Sequence, residues 1–196
     1  LVRGCALVSG NTKSCGCQRL ISNRSRPKSI KYEFSEGHVI CTLANNVAFI
    51  IDHVDFDRVN KYGWSYNRNR DYVFCNSASL RNKPLSRFLL DCPAGLEVDH
   101  INHNRLDNRR CNLRIATKTE NIANTRPSKA CTSGYKGVSF CKHTKRWRAS
   151  VTISGRNSTT IGRYDSAEKA AIERDKAVYQ LHSEFAWLNF PERISE

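Results

Sequence analysis

Methionine is missing from all 196 residues, and no run approaches the roughly eighteen consecutive apolar residues that a membrane-spanning helix requires. With no basic amphipathic helix standing out either, no membrane partner is expected. The missing initiator gives the expectation that the amino terminus is incomplete or processed. Acid is scarce: 18 Asp and Glu stand against 32 Lys and Arg, a net charge of +14. Such an excess repels itself in a compact state, so a polyanionic partner is the economical explanation. Paired cysteines are also lacking. The nine thiols are an odd number, mostly scattered singly, and no secretory segment precedes them. A disulfide framework is therefore excluded, and a reducing, cytoplasmic compartment is expected. What is present, 39% hydrophobic residues, suffices for one or two globular domains. Oligomeric state is left open.

The informative stretch is 96–124. A short apolar strand ends in Asp99 and His100, an Asn-rich loop follows, and a second strand, Leu113 to Ile115, runs into a helix. Thr117 with Glu120 three residues on is a capping box, Ile122 and Ala123 supply an apolar patch, and Arg126 before Pro127 marks the stop. About thirty residues bury little core by themselves, so these polar side chains point to a site. A carboxylate beside an imidazole, with an amide returning from a helix, suits phosphodiester cleavage, which needs charge neutralisation and a base. Asp99 and Asn121 are hard oxygen ligands that favour Mg²⁺ or Mn²⁺ over Zn²⁺. His100, with an ordinary pKa of about 6.5, is the candidate base. A different metal reading stays open: Cys92, His100, His103 and Cys111 as a structural zinc site.

The run from Val98 to Asn104, then Asp107, Asn108, Asn112, Leu113, Arg114, Glu120, Asn121 and Asn124, resembles the HNH endonuclease signature in its phage and homing-type subgroup, where Asn replaces the last His. The resemblance implies a ββα-metal core in which Asp99 and Asn121 hold the metal and His100 activates water. It implies that Asn112 braces the loop and orients His100. It also implies cleavage of double-stranded DNA with a divalent cation, leaving a 5′-phosphate and a 3′-hydroxyl. Leu85-Ser-Arg-Phe-Leu-Leu resembles the helix that precedes this motif, with Ser86 where the family usually has His. Arg105, Arg109, Arg110 and Arg114 read either as ordinary solvated charges or as a clamp on the DNA backbone, Arg109 and Arg110 foremost.

Around this stretch the chain changes character. Residues 1–20 read as the remnant of a Cys-rich module. Cys15-Gly-Cys17 resembles the closing half of a small zinc module found ahead of some phage nucleases, with Cys5 a third ligand, but no fourth completes a tetrahedral Zn²⁺ site, and plain thiols stand beside that reading. Residues 21–30 are a basic linker. In the nuclease segment, 31–126, strands are expected at 32–34, 38–43, 47–51, 64–66, 72–74 and 78–80, with a helix over 55–62, forming a small β-rich support. Residues 127–133 are a second linker.

The segment 134–191 is organised differently. Lys136, Lys142, Lys145, Arg146, Arg148, Arg156 and Arg163 fall between Gly134 and Tyr164 without an Asp or Glu. Trp147, Ala149, Val151 and Ile153 alternate with Arg148, Ser150 and Thr152, so one strand face is apolar and the other polar. Asp165-Ser-Ala-Glu168 signals the start of a helix whose Ala167, Ala170, Ala171, Ala177, Val178 and Leu181 line one side. A three-stranded antiparallel sheet packed on one α-helix leaves a positive face that fits the major groove. Tyr135-Lys-Gly-Val138, Trp147-Arg-Ala149, Ile161-Gly-Arg-Tyr164, Ser166-Ala-Glu-Lys-Ala-Ala171 and Leu188-Asn-Phe-Pro191 resemble the plant ethylene-response-factor (APETALA-type) DNA-binding domain, also found attached to phage HNH nucleases. The resemblance places DNA contacts at Lys136, Ser150, Thr152 and Arg163, with Arg146 and Arg148 nearby. Thr160 stands where that family has Trp, so its target sequence does not transfer. The expectation is an α+β, metal-dependent DNA endonuclease, phage-encoded and acting in the host cytoplasm. Its rival is a non-cleaving, sequence-specific DNA-binding regulator on a degenerate HNH scaffold.

Overall fold

A computed structural model describes residues 30–128, 131–154 and 157–194. The Cys5, Cys15 and Cys17 reading, the 1–20 module, nearly all of the 21–30 linker, and Arg156 lie outside the described residues. Among the described residues no helix is long and apolar enough to cross a membrane. The chain divides into two units, one running to Leu85 and reclaiming Arg105–Arg109, the other made of Ser86–Asn104 and Arg110 onward.

In the first unit the β-branched and aromatic runs pair as antiparallel strands: β1 (Lys31–Ser35), β2 (His38–Thr42) and β3 (Ala48–Asp52), in that order across the sheet. Gly37, at φ 75°, and Asn46, at φ 60°, take the left-handed positions at the two turns. Alternation buries Val39 and Cys41 on β2 and Phe49 and Ile51 on β3. Helix α1 (Phe56–Asn60) contributes Val59, and the hairpin of β4 (Trp64–Asn67) and β5 (Tyr72–Cys75) contributes Trp64, Val73 and Cys75. Full burial of each large side chain stabilises by about 1.5–3 kcal/mol. The Trp64 indole N–H, which burial would otherwise strand, donates to Val59 O at 2.8 Å. Residues 105–109 close the unit against β3, where Ile50 donates to Leu106 O and accepts from Asn108 N, both at 2.8 Å.

One expected strand is absent: Ala78–Leu80 is a turn. Leu80 N and Arg81 N both donate to Ser77 O, and Arg81 and Asn82 take positive φ. Ser77 and Ser79 hydroxyls bond each other at 2.7 Å, the local competition that draws serines into turns.

The second unit contains a two-stranded antiparallel ribbon, β6 (Glu97–His100) and β7 (Leu113–Ala116), followed by α3 (Lys118–Ala123). Short helix α2 (Leu85–Leu89) precedes them. The Arg87 guanidinium gathers the carbonyls of Cys92, Pro93 and Leu96 and so shapes the turn into β6. Both halves of the capping box are made at α3: Glu120 N donates to Thr117 Oγ1 and Thr117 N to Glu120 Oε2.

The same unit holds a second antiparallel sheet, ordered β10 (Asn157–Tyr164), β9 (Arg146–Ser154), β8 (Val138–Cys141), with α4 (Ala167–His182) packed on it. Val138, Ala149, Ala170 and Ala171 form its core, flanked by Tyr135, Trp147, Ile161, Tyr164 and Phe190. Gly137 is required here, since a Cβ would lie 2.6 Å from Ser150 O. Two expectations need correction. Ser166, not Asp165, caps α4 by accepting from Lys169 N, and Ile153 and Leu181, expected on the apolar side, are about half exposed.

The buried side of α4 instead runs through the ion pair Arg174–Asp175, 2.9 Å apart and almost wholly buried. Asp175 also accepts from Asn189 N, Asn189 Nδ2 and Phe190 N, which pins the carboxy-terminal segment to the helix. Arg174 donates in addition to Trp187 O. Asp175→Asn leaves that guanidinium buried without its counter-charge. We expect a loss of about 3–5 kcal/mol in unfolding free energy by denaturant titration, and a change under 1 kcal/mol would show the pair to be dispensable.

Candidate active site

Strand alternation places Glu97 and Asp99 on one face of β6, and α3 covers that face. Asp99 is 4% exposed. A carboxylate so buried must be satisfied, and two residues do this. Arg114, its cross-strand partner on β7, brings Nε and Nη2 within 2.8 Å of Oδ2. Asn124, at the end of α3, donates Nδ2 to Oδ1 and Oδ2 at 2.9 Å and to His100 O at 3.2 Å. Asn121 Nδ2 donates to Glu97 Oε2. The structure therefore brings Asn124 rather than Asn121 against Asp99, and Asn121 against Glu97. Asn124 falls within the HNH-like spacing without a role implied for it, and Glu97 lies in the strand that ends at Asp99 and His100.

His100 forms the last rung of the ribbon, opposite Leu113, where the chain turns into the loop. Asn112 spans that loop: its carbonyl accepts from Ile101 N and its side-chain oxygen from Asn102 N, each at 2.9 Å. His103 takes φ 62°, and its ring packs edge-on against Trp187 with centroids 4.9 Å apart. Burial first, then the Arg126 cation, holds the His103 pKa below its ordinary value. The zinc alternative fails on geometry. Cys92 is buried and Cys111 exposed, and among the described residues no group of three or more His, Cys, Asp or Glu could hold a metal.

The cations predicted to meet DNA divide into two sets. Arg148 and Arg163 face each other across β9 and β10, with Arg146 two residues earlier on the same strand face, and all three are exposed. Arg146 lies 3.4 Å from the exposed Asp165. The others are engaged. Arg109 grips Asp107 through two 2.8 Å bonds, and Arg110 donates to Leu89 O. Ser150 Oγ bonds Gly137 O at 3.2 Å, and Ser150 and Thr152 are half-buried, lining a cavity of about 230 Å³ with Ile122, Lys136 and His182. Lys136 points Nζ at the end of α3, within 2.7 Å of Ala123 O and Thr125 O and 3.2 Å of Ile122 O. A cation there meets carbonyls that the helix itself leaves unpaired.

The chain is thus of mixed α+β class with small antiparallel sheets, and its ribbon, loop and following helix gather a carboxylate, imidazoles and amides. The HNH endonuclease family matches residues 91–123, which span that ribbon and helix. Protein 3.8 of Escherichia phage T7 is 37% identical over 94 residues, covering 48% of this chain and 76% of that protein. An uncharacterized HNH endonuclease of Acanthamoeba polyphaga mimivirus is 32% identical over 134 residues, covering 65% of this chain and 67% of that protein. The chain belongs to the HNH endonuclease family. No solved structure matches it.

Family members generally use a divalent metal ion, and the hard oxygen donors expected to hold one here are set against different partners, Asp99 against Arg114 and Asn124, Asn121 against Glu97. Arg114 and Asn124 place three donors on Asp99 Oδ2 but only one on Oδ1. Among the described residues Oδ1 thus carries fewer donors than Oδ2. Asn121, bonded through its nitrogen, keeps Oδ1 as a second hard donor. Two protein oxygens suit Mg²⁺ or Mn²⁺, which retain water and substrate ligands, and do not suit a structural zinc.

Burial, and secondarily the Arg174 cation, lowers the Lys136 pKa from 10.5 to about 7. Between those values the unfolded chain carries a proton that the folded chain has released, so folding becomes more favourable as pH rises through that window. Lys136→Met removes this linkage. The native protein should therefore gain stability relative to the variant from pH 7 to pH 10 in paired denaturant titrations, and a pH-independent difference would contradict the assignment.

Proposed function

We propose that the protein is a metal-dependent DNA endonuclease in which the ribbon and α3 form a ββα-metal site within residues 31–126, and the 134–191 segment, an ethylene-response-factor-like DNA-binding domain, seats the protein on duplex DNA. The host-cell cytoplasm, where phage DNA resides, is the proposed place of action. The observation that carries this reading is the buried Asp99 carboxylate, oriented by Arg114 and Asn124 with one oxygen less encumbered. Asp99 and Asn121 would hold the Mg²⁺ or Mn²⁺ ion as hard oxygen donors. Bound there, the ion supplies neutralisation of charge on the phosphate and the leaving oxygen. His100 takes a proton from the attacking water as its oxygen bonds phosphorus. The P–O3′ bond breaks and the departing O3′ takes a proton from solvent water, leaving a 3′-hydroxyl and a 5′-phosphate. Asn112 keeps the loop closed around His100 by its bonds to Ile101 and Asn102.

The face bearing Arg146, Arg148 and Arg163 supports DNA seating on electrostatic grounds. Like charges directly opposite on neighbouring strands destabilise a sheet, and a polyanion relieves that repulsion. Ser150 and Thr152 belong to the proposed contact set as half-buried positions on the central strand β9. Arg109 and Arg110 would contact DNA only on release from their carboxylate and carbonyl partners, and Lys136 is better suited to holding α3.

A second reading, a DNA-binding protein that does not cut, is favoured by the Arg114 cation already paired with Asp99. The two separate cleanly. His100→Ala should abolish nicking of supercoiled plasmid with Mg²⁺ or Mn²⁺ while DNA affinity is unchanged. Native protein that never nicks plasmid or genomic DNA with either ion would favour the second reading. Replacing Arg146 and Arg148 together by Ala should weaken binding and reduce the log-affinity against log-salt slope by about 0.9 per lost phosphate contact. An unaltered slope would place the DNA elsewhere.

A further inference from the structure

The carboxy-terminal segment, 184–190, makes contacts that a free-standing DNA-binding domain would not need. One end is held by α4, where Asp175 accepts from the backbone N–H groups of Asn189 and Phe190 at 2.6 and 2.8 Å. The other end reaches the nuclease ribbon. Arg114 Nη1 donates to Glu184 O at 2.8 Å, and its guanidinium lies 4.0 Å from the centre of the Phe185 ring. This is the guanidinium whose Nε and Nη2 hold Asp99. Between these anchors sits Trp187. Its backbone N–H donates to Ala123 O at 3.1 Å, capping the helix that carries Asn121 and Asn124, and its indole forms the edge contact with His103 in the loop that follows His100.

Together these contacts tie Asp99, α3 and the 101–104 loop to one rigidly anchored segment. None of those parts is stable alone. A six-residue helix lies far below the length at which an isolated helix persists in water, and a two-stranded ribbon is marginal by itself. The left-handed backbone at His103 is costly for a side chain and persists only where surroundings hold it.

We propose that Trp187 is a positioning residue of the nuclease site, acting through the His103 ring and the carboxy-terminal end of α3, so that the segment 184–190 couples the basic sheet-and-helix part to the cutting centre. The role rests on the nuclease reading above. Trp187 touches neither substrate nor metal. It sets where the loop and α3 stand, and DNA held on the basic sheet is then presented to a site of fixed geometry.

The test uses the full chain and two variants. Trp187→Leu keeps the backbone bond to Ala123 and much of the apolar volume but removes the aromatic edge, whereas Trp187→Phe keeps an aromatic ring for His103. With supercoiled plasmid and Mg²⁺, Trp187→Leu should lower kcat by about tenfold to a hundredfold, as small misplacements of catalytic groups do. KM and metal-free DNA affinity should hold, and Trp187→Phe should recover most of the rate. Adding Trp187→Leu to His103→Ala should cost nothing further. Residue-resolved hydrogen exchange gives a readout independent of cleavage: in Trp187→Leu the amides of α3 should exchange faster, while those of β8 and β9 stay protected. Equal rates for the Leu and Phe variants, additive losses with His103→Ala, or unchanged α3 exchange would each overturn the proposal. Failure of the native protein to cut DNA would overturn the nuclease reading alone, because the exchange result would still decide the coupling.

Discussion

A carboxylate that is 4% exposed, as Asp99 is, would be expected to expel itself from the fold or give up its charge unless paired. Here it is kept by Arg114 from the facing strand and Asn124 from the following helix, so one acidic side chain ties together two four-residue strands and a six-residue helix. Those elements bury little apolar surface between them; Leu113, Ala116 and Ala123 are their main contribution. Polar satisfaction replaces the hydrophobic core at this point, with the consequence that the groups holding the fold are also those that the proposed chemistry uses. Stability and the proposed reactivity then draw on the same lone pairs, and the donors on the two Asp99 oxygens are unequal.

The same economy governs the positive charge. A surplus of +14 suggests a surface dedicated to a polyanion, yet many of the cations are turned inward onto backbone carbonyls. Arg87 organises the turn before β6, Lys136 closes α3, Arg110 reaches Leu89, and Arg114 reaches Glu184. Short helices and irregular turns leave carbonyls unpaired, and long basic side chains are efficient at reaching them. Other cations are exposed, Arg146, Arg148 and Arg163 on β9 and β10 among them. Arg148 and Arg163 stand directly opposite each other across the two strands.

The signals most legible in the sequence were those of short range. The capping box at Thr117 and Glu120, the alternation in β2, β3 and β9, and the HNH-type spacing around Asp99 and His100 all depend on residues a few positions apart. Errors arose where a local pattern was ambiguous. Ser-Ala-Ser-Leu reads equally as strand or turn until the Ser77 hydroxyl finds Ser79. Ile153 continues an apolar alternation but lies beyond the cluster made by Val138, Ala149, Ala170 and Ala171, and Leu181 sits where the buried side of α4 has already passed to Arg174 and Asp175.

By itself the sequence determined that a carboxylate and an imidazole end a strand, that an amide-bearing helix follows, and that a basic sheet trails behind, because helix caps and strand alternation are written in neighbouring residues. Only the tertiary structure decided that Asn124 rather than Asn121 grips Asp99, that Lys136 serves a helix end, and that Trp187 rests on His103. The physical reason is separation along the chain. Which of two amides on one short helix reaches a given oxygen depends on how that helix is seated, and its seat is set by Lys136 and Trp187, both of which bond Ala123 O from far along the chain. No periodicity in the intervening residues encodes that distance.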